Sequence, residues 1–338
     1  MSRERSTLVG TPVVVAPGKI FLIGEYAVLE GGPAVLAAVS RRAVAQYVPG
    51  LEPMSEVVAE AVKRAKGELG ETASALPAGS VLVNTDDFRQ GDVKIGLGSS
   101  AATAVAAVGA VFESAGISVA QSRERIFAIA LAAHRAAQGA EGSGADVAAA
   151  THGGFIKVES PSSSVTSVVE SLVPPPELHL VVFWTGEAAS TTTMIDGVRE
   201  FAKKDRAAYR QHIENLGDIA GRFVAEFRAG NANGAVEAAG RYGKRLAAFG
   251  AAASVPIVTP AFTRAAGVAK EIGGIAKPSG AGGGDIGIGM FTAPGAALLF
   301  ARALPKPLIA LDIDVDVSGV RRRVPGEEHS GNSGMFHV

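Results

Sequence analysis

The residues whose types and spacing could do chemistry begin with Lys94-Ile95-Gly96-Leu97-Gly98-Ser99-Ser100-Ala101-Ala102. Gly96 and Gly98, one residue apart, let a backbone come close to a ligand, and two hydroxyls follow. The mostly apolar, alanine-rich run Ala101–Phe112 then reads as a buried helix. A Gly/Ser turn at a helix start offers unpaired N–H groups and the positive end of the helix dipole, which makes an anion site. The expected anion is a nucleotide phosphate. Three readings compete. The stretch could be only a Ser-capped helix after a glycine turn. Gly96-x-Gly98-x-x-Ala101 also fits a dinucleotide fingerprint, which needs a strand before it and an acidic residue about 20 positions on. Here Gly91–Lys94 is a poor buried strand, and Glu113 still lies at the helix end. A P-loop needs G-x-x-x-x-G-K-[ST], and the chain has none.

Two further segments raise the phosphate reading. The first is Ala16-Pro17-Gly18-Lys19-Ile20-Phe21-Leu22-Ile23-Gly24-Glu25-Tyr26, which alone would be a strand with a proline break and a solvated lysine. The other is Lys277-Pro278-Ser279-Gly280-Ala281-Gly282-Gly283-Gly284-Asp285. Four glycines between Gly280 and Gly284, set between two regular elements, indicate a backbone that approaches something closely. Asp146, just after Gly144, is either an acid/base group or a helix cap. The six histidines show no metal-ligand spacing.

The elements that must position these residues read as mixed α/β. Strands are expected at Val13–Ala16, Lys19–Ile23, Val35–Val48 (one or two), Val81–Val83, Phe155–Val158, Val165–Val169, Leu178–Trp184, Asp285–Ile288 and Leu311–Val317. Helices are expected at Ser55–Leu69, Ser99–Ala115, Ser122–Gln138, from Asp146 to Ala150, and, after the proline-rich linker Val173–Pro176, at Thr192–Lys203, Arg206–Arg228, Gly234–Phe249, Val258–Ile272 and Ala296–Leu304. The linker divides the chain into residues 1–176 and 177–338. A content of 47% hydrophobic residues over 338 positions suffices for two cores. The net charge of −1 implies no general pull toward nucleic acid or membrane, and neither is expected as a partner. No cysteine is present, which rules out a thiol nucleophile and suits a cytoplasmic location. The polar start Met1–Thr7 does not read as a signal peptide, and the tail from Pro325 reads as polar.

Taken together, Pro17-Gly18-Lys19 with Gly24-Glu25, then Gly96–Ala102, then Ser279–Gly284, resemble the three-motif pattern of the GHMP kinases, small-molecule kinases for galactose, homoserine, mevalonate and phosphomevalonate. The resemblance implies a ribosomal-S5-like N-terminal α/β domain plus a ferredoxin-like C-terminal domain, with ATP in the cleft. Gly142–Ala149, Trp184–Thr191 and Lys277–Asp285 are most similar to the phosphomevalonate-kinase branch. Mevalonate kinases tend to carry a Glu four residues before a His-Gly pair, where this chain has His134, Gln138 and Gly139.

The implied reaction is ATP-dependent phosphorylation of 5-phosphomevalonate, with Mg²⁺ as cofactor and a monomer or homodimer as the working form. Mevalonate kinase, another GHMP kinase and a non-catalytic sensor remain the alternatives. By the same resemblance Lys19 and Asp146 are catalytic. ATP would be held by Gly96, Leu97, Gly98, Ser99, Ser100, Ala101, Gly280, Ala281, Gly282 and Gly283, with Ser100 on the metal. The acceptor would meet Lys19, Glu25, Tyr26, His134, Ser143, Gly144, Trp184, Ser190, Thr191 and Asp285. Lys19, Arg135 and His134 are the expected cations for the acceptor's phosphate.

Overall fold

The computed structural model describes residues 11–138, 142–159 and 168–324. Gly139, Val165, the expected turn after Glu159 and the tail from Pro325 lie outside the described residues. The chain opens with a long antiparallel pair, β1 (Val13–Ile23) and β2 (Ala34–Pro49). The expected break at Pro17-Gly18 is a register shift inside β1, which pairs with β2 on both sides of it. Gly18 lets another segment lie against the strand there: a Cβ would stand 2.6 Å from the Leu97 carbonyl oxygen. Val35–Val48 belongs to one strand, because its apolar residues are buried almost throughout and suit an interior position.

α1 (Glu56–Leu69) starts on Ser55, whose hydroxyl accepts from the Val58 N–H. A one-turn α2 (Glu71–Ser74) and β3 (Gly79–Asn84) follow, with β3 paired to β2. The short exposed hairpin of β4 (Arg89–Gln90) and β5 (Val93–Lys94) leads into α3 (Ser99–Ser114). Helix α3 is buried over most of its length, and its small alanines let it sit across β1 and β2. α4 (Arg123–Gln138) and α5 (Ala145–His152) complete that layer, and β6 (Phe155–Glu159) and β7 (Val168–Leu172) extend the sheet.

The second half builds its own antiparallel sheet from β8 (His179–Trp184), β9 (Ile275–Pro278), β10 (Ile286–Phe291) and β11 (Ile309–Ala310), in the order β11-β8-β10-β9. Around it pack α6 (Thr191–Lys204), α7 (Arg206–Arg228), α8 (Ala232–Ala253), α9 (Pro260–Glu271) and α10 (Pro294–Ala303). A separate apolar cluster under this sheet centres on Phe183, Phe262, Phe291 and Phe300.

The expected strand Leu311–Val317 does not form. Those residues return to the first sheet, where Val315 makes a single bridge with Val39. Asp316 is buried between Arg42 (2.6 Å) and Arg321 (3.2 Å), so its carboxylate is satisfied by ion pairs. The chain then adds β12 (Arg321–Arg322) to the outer edge of β1, so the first sheet runs β12-β1-β2-β6-β7. Residues 312–322 therefore pack on the first half of the chain, although the linker boundary assigns them to the second.

Candidate active site

Three elements of the first half and one loop of the second bring the chemistry together. β1 carries Lys19, whose backbone N–H donates to the Leu97 carbonyl (2.8 Å), fixing the glycine loop against the strand. Gly98 is the N-cap of α3 at φ 80, in the left-handed region, and no side chain caps the helix. The first helical bond there is donated by Ala102 to Gly98, so the N–H groups of Ser99 to Ala101 have no partner within the helix. No acidic residue occupies this first turn. The result is a helix terminus open to an anion.

α5 carries Asp146 in its first turn. Its N-cap is Gly144, and no side chain caps that helix, so Asp146 is not its cap. Instead its Oδ2 lies 3.6 Å from Lys19 Nζ. Lys19 is only 6% exposed and sits 5.0 Å from the centre of the Phe21 ring. An ammonium group and a carboxylate therefore face each other in a mostly buried place.

Two cavities meet at this pair. One, of about 560 Å³, runs along Lys94, Gly96, Gly98, Ser99, Ser100 and Ala101 to Asp285 and the start of α6. The other, of about 170 Å³, is lined by Glu25, Tyr26, Arg135, Ser143, Gly144, Gly280 and Ala281, with Phe21, Val28 and Leu131 as apolar walls. Lys19, His134, Gln138, Asp146 and Thr191 border both. A phosphoryl donor in the larger cavity and an acceptor in the smaller one would meet at Lys19.

The closure from the second half is anchored by polar contacts across the sheets. The Phe21 N–H donates to Ser279 Oγ (2.8 Å), and the Tyr26 hydroxyl donates to the Ala281 carbonyl (2.6 Å). Tyr26 has φ 65, unusual for a bulky residue, and its ring packs edge-on against Phe249 (5.4 Å). Beneath it Lys277 Nζ is bonded to Glu25 Oε1, both groups almost wholly buried. The Tyr242 hydroxyl donates to the Glu25 carbonyl (2.6 Å). Burial pushes the Lys277 ammonium down, against the opposing pull of Glu25.

Several expected site residues are placed elsewhere. Trp184 does not border either cavity; it ends β8, paired with Ile286 and Ile309. Ser190 borders neither cavity and caps α6, accepting from the Thr193 N–H (3.2 Å). Leu97 points its side chain into the core and contributes its carbonyl to Lys19. Gly282 and Gly283 lie behind the cavity wall, against Ile257 and Met194. A Cβ at Gly282, whose φ is +77, would collide with the Ile257 carbonyl, so packing explains this glycine. Asp285 borders the larger cavity rather than the acceptor one, and burial pushes its carboxyl up. Glu25 borders the smaller cavity, but one carboxylate oxygen is bonded to Lys277. His134 borders both cavities, yet burial pushes its imidazole below its usual range, partly offset by Asp146.

Sequence reasoning missed Gln138 as a lining group, whose amide donates to Ser100 Oγ (3.3 Å). It also missed Lys94 and the pair Asp196–Arg199 on α6 (3.6 Å). Lys94 adjoins the glycine motif and could have been suspected. Nothing local marks Arg199. The Arg135 guanidinium donates to the Gly142 carbonyl (3.0 Å), bracing the loop before Asp146.

A glycine turn opens a buried helix, and a lysine–carboxylate pair stands where two cavities meet, an arrangement that suits phosphoryl transfer. Residues 56–154 match the family described as GHMP kinases N terminal domain. With this fold and cleft, the chain resembles the small-molecule kinases of that family. A phosphomevalonate kinase of Streptomyces sp. (strain CL190) is 29% identical over 337 residues, covering 82% of this chain and 89% of that protein. A mevalonate kinase of Thermococcus onnurineus is 31% identical over 211 residues, covering 54% of this chain and 60% of that protein. Among solved structures, the Lin0012 protein from Listeria innocua overlays with a TM-score of 0.83 at 24% identity, covering 93% of this chain and 99% of that one. Streptococcus pneumoniae phosphomevalonate kinase, in complex with phosphomevalonate and AMPPNP, overlays with a TM-score of 0.74 at 19% identity, covering 90% and 99%. The last two are likenesses of fold. Among the described residues, no helix is long and apolar enough to cross a membrane.

Proposed function

We propose that the chain transfers the γ-phosphoryl group of ATP to the phosphate of 5-phosphomevalonate, giving 5-diphosphomevalonate and ADP. An acceptor phosphate oxygen attacks the γ-phosphorus, and the bond to the oxygen that leaves with ADP breaks. The observation that carries this reading is Lys19 at the junction of the two cavities, 3.6 Å from Asp146. The Streptomyces phosphomevalonate kinase supports the choice of acceptor, because its similarity extends over most of both chains. Phosphoryl transfer needs positioning and charge neutralisation more than covalent help. Lys19 bridges the γ-phosphate and the acceptor phosphate. The free N–H groups at the start of α3 hold the nucleotide's phosphates. Arg135 and Ser143 serve the acceptor's own phosphate from the wall of the smaller cavity.

The donor set of the larger cavity fits Mg²⁺ arriving with the nucleotide. It offers the Ser100 hydroxyl and the Asp146 and Asp285 carboxylates, and one buried Asp285 oxygen has no hydrogen-bond partner. Ser100 would hold the ion, which would neutralise phosphate charge. Among the described residues no cluster of three or more His, Cys, Asp or Glu stands ready for a metal, so the nucleotide itself would supply the remaining ligands.

Asp146 separates the two leading acceptors. A hydroxyl acceptor, as in mevalonate, needs its proton removed. A phosphate monoester has a second pKa of about 6 and is mostly dianionic at neutral pH. Asp146 then orients Lys19 instead of accepting a proton. For the proposed acceptor, the acidic limb of the rate near about pH 6 should persist in Asp146→Asn at a lower plateau. Disappearance of that limb, with a loss on the order of 10² to 10⁴, would favour mevalonate kinase. That second reading has the Thermococcus mevalonate kinase in its favour.

A further inference from the structure

In the second half, α7 and α8 form a hairpin whose exposed faces enclose a groove of about 450 Å³. α7 contributes Asn215, Asp218, Ile219 and Arg222, and α8 contributes Arg241, Lys244, Arg245 and Ala248. Each set has the spacing i, i+3, i+4, i+7, so each is one helical stripe. Four of the eight residues are cationic, against a single carboxylate. Arg241 is paired with Glu237, whereas Arg222, Lys244 and Arg245 make no ion pair among the described residues. Like charges three and four residues apart on one helix repel and destabilise it. The arrangement therefore carries a standing cost that an anion in the groove would relieve.

We infer that this groove is a second anion site, built for a small ligand with two or more adjacent negative charges, such as a diphosphate group. The stripe from Arg241 to Ala248 rises only about 10 Å along the helix, which matches a small molecule rather than an extended polyanion. Two arginines, one from each helix, can grip neighbouring phosphate oxygens with their planar forks. The site is not isolated from the cleft. The inner face of α8 carries Tyr242, bonded to the Glu25 carbonyl, and Phe249, packed on Tyr26. α7 reaches the same region, since the Tyr209 hydroxyl donates to Glu30 (2.8 Å). An occupant clamping α7 to α8 would thus stiffen the wall behind the smaller cavity.

The test is calorimetric titration of the full chain with inorganic pyrophosphate under saturating ADP, which fills the catalytic cleft on the function proposed above. One binding event is expected, weakened by added salt. It should be at least about tenfold weaker in Arg222→Ala/Lys244→Ala/Arg245→Ala and unchanged in Lys19→Met. No binding by the wild type, or equal affinity in the triple variant, overturns the site. Binding lost in Lys19→Met but kept in the triple variant would place the anion in the catalytic cleft and likewise overturns it. Because the groove variant touches no cleft residue, failure here leaves the kinase reading intact.

Discussion

At the scale of single residues, the site depends on a few backbone and charge placements. Lys19 is the cation both cavities share, so Lys19→Met should leave the facing phosphates without their bridge. Turnover should fall by at least about 10²-fold, with a smaller change in nucleotide affinity, as steady-state kinetics and direct ATP titration would read. A Lys19→Met enzyme within tenfold of wild type would remove Lys19 from the chemistry. The glycines around it are not alike. A Cβ at Gly98 would stand 3.0 Å from the Lys19 side chain, so this glycine belongs to the site. Gly282 belongs to the packing. Gly282→Leu combines a positive φ with a collision on Ile257, and should cost about 3 kcal/mol or more in chemical denaturation. A fully stable Gly282→Leu protein with impaired kcat/KM would instead return that glycine to the nucleotide. The short motifs were legible because phosphate binding by backbone leaves contiguous marks: Gly96, Gly98, Ser99 and Ser100 lie within five positions. Trp184 and Ser190 misled because sequence neighbours need not share a face. Trp184 ends an interior strand, paired with an isoleucine on each side, and the Ser190 hydroxyl is used by its own helix.

At the scale of elements, the turn after β1 and strand β9 are tied by a pair that no local pattern discloses. Glu25 and Lys277 are 252 positions apart, and each alone reads as a surface charge. Burial of both makes their pairing obligatory. Lys277→Met should destabilise the protein by about 3–5 kcal/mol, because it leaves the Glu25 carboxylate buried and uncompensated. The double variant Glu25→Met/Lys277→Met should recover most of that loss, since a well-packed apolar pair can replace a buried ion pair. A double-mutant cycle by urea denaturation reads the coupling, and additive losses would contradict the account. The same limit explains the return of residues 314–322 to the first sheet. Alternation at Leu311–Val317 marks a half-buried extended segment, but only the distant partners Ser40 and Arg42 decide what it packs against.

For the whole molecule, pH acts through buried imidazoles. Burial pushes His134 and His152 down from their usual range. Both protonate more readily in the unfolded chain, so stability should be full above the ordinary histidine pKa of 6.5 and fall as pH drops below it. Thermal unfolding between pH 7 and 5 should show this slope, and His152→Gln should flatten it; an unchanged slope would mean other groups set it. The two-part architecture was legible in outline, because a proline-rich linker separates two stretches that each carry strands and helices enough for a core. How the halves meet was not, because the cleft is made of contacts such as Tyr26 to Ala281 that span the chain. What the assembled cleft does is tested most directly by one assay: coupled ADP release with mevalonate, 5-phosphomevalonate and 5-diphosphomevalonate compared side by side at neutral pH. The account predicts that 5-phosphomevalonate gives the highest kcat/KM by a wide margin, with 5-diphosphomevalonate as its product. Turnover of mevalonate above 5-phosphomevalonate, or ATP binding without ADP release for any of the three, would contradict it.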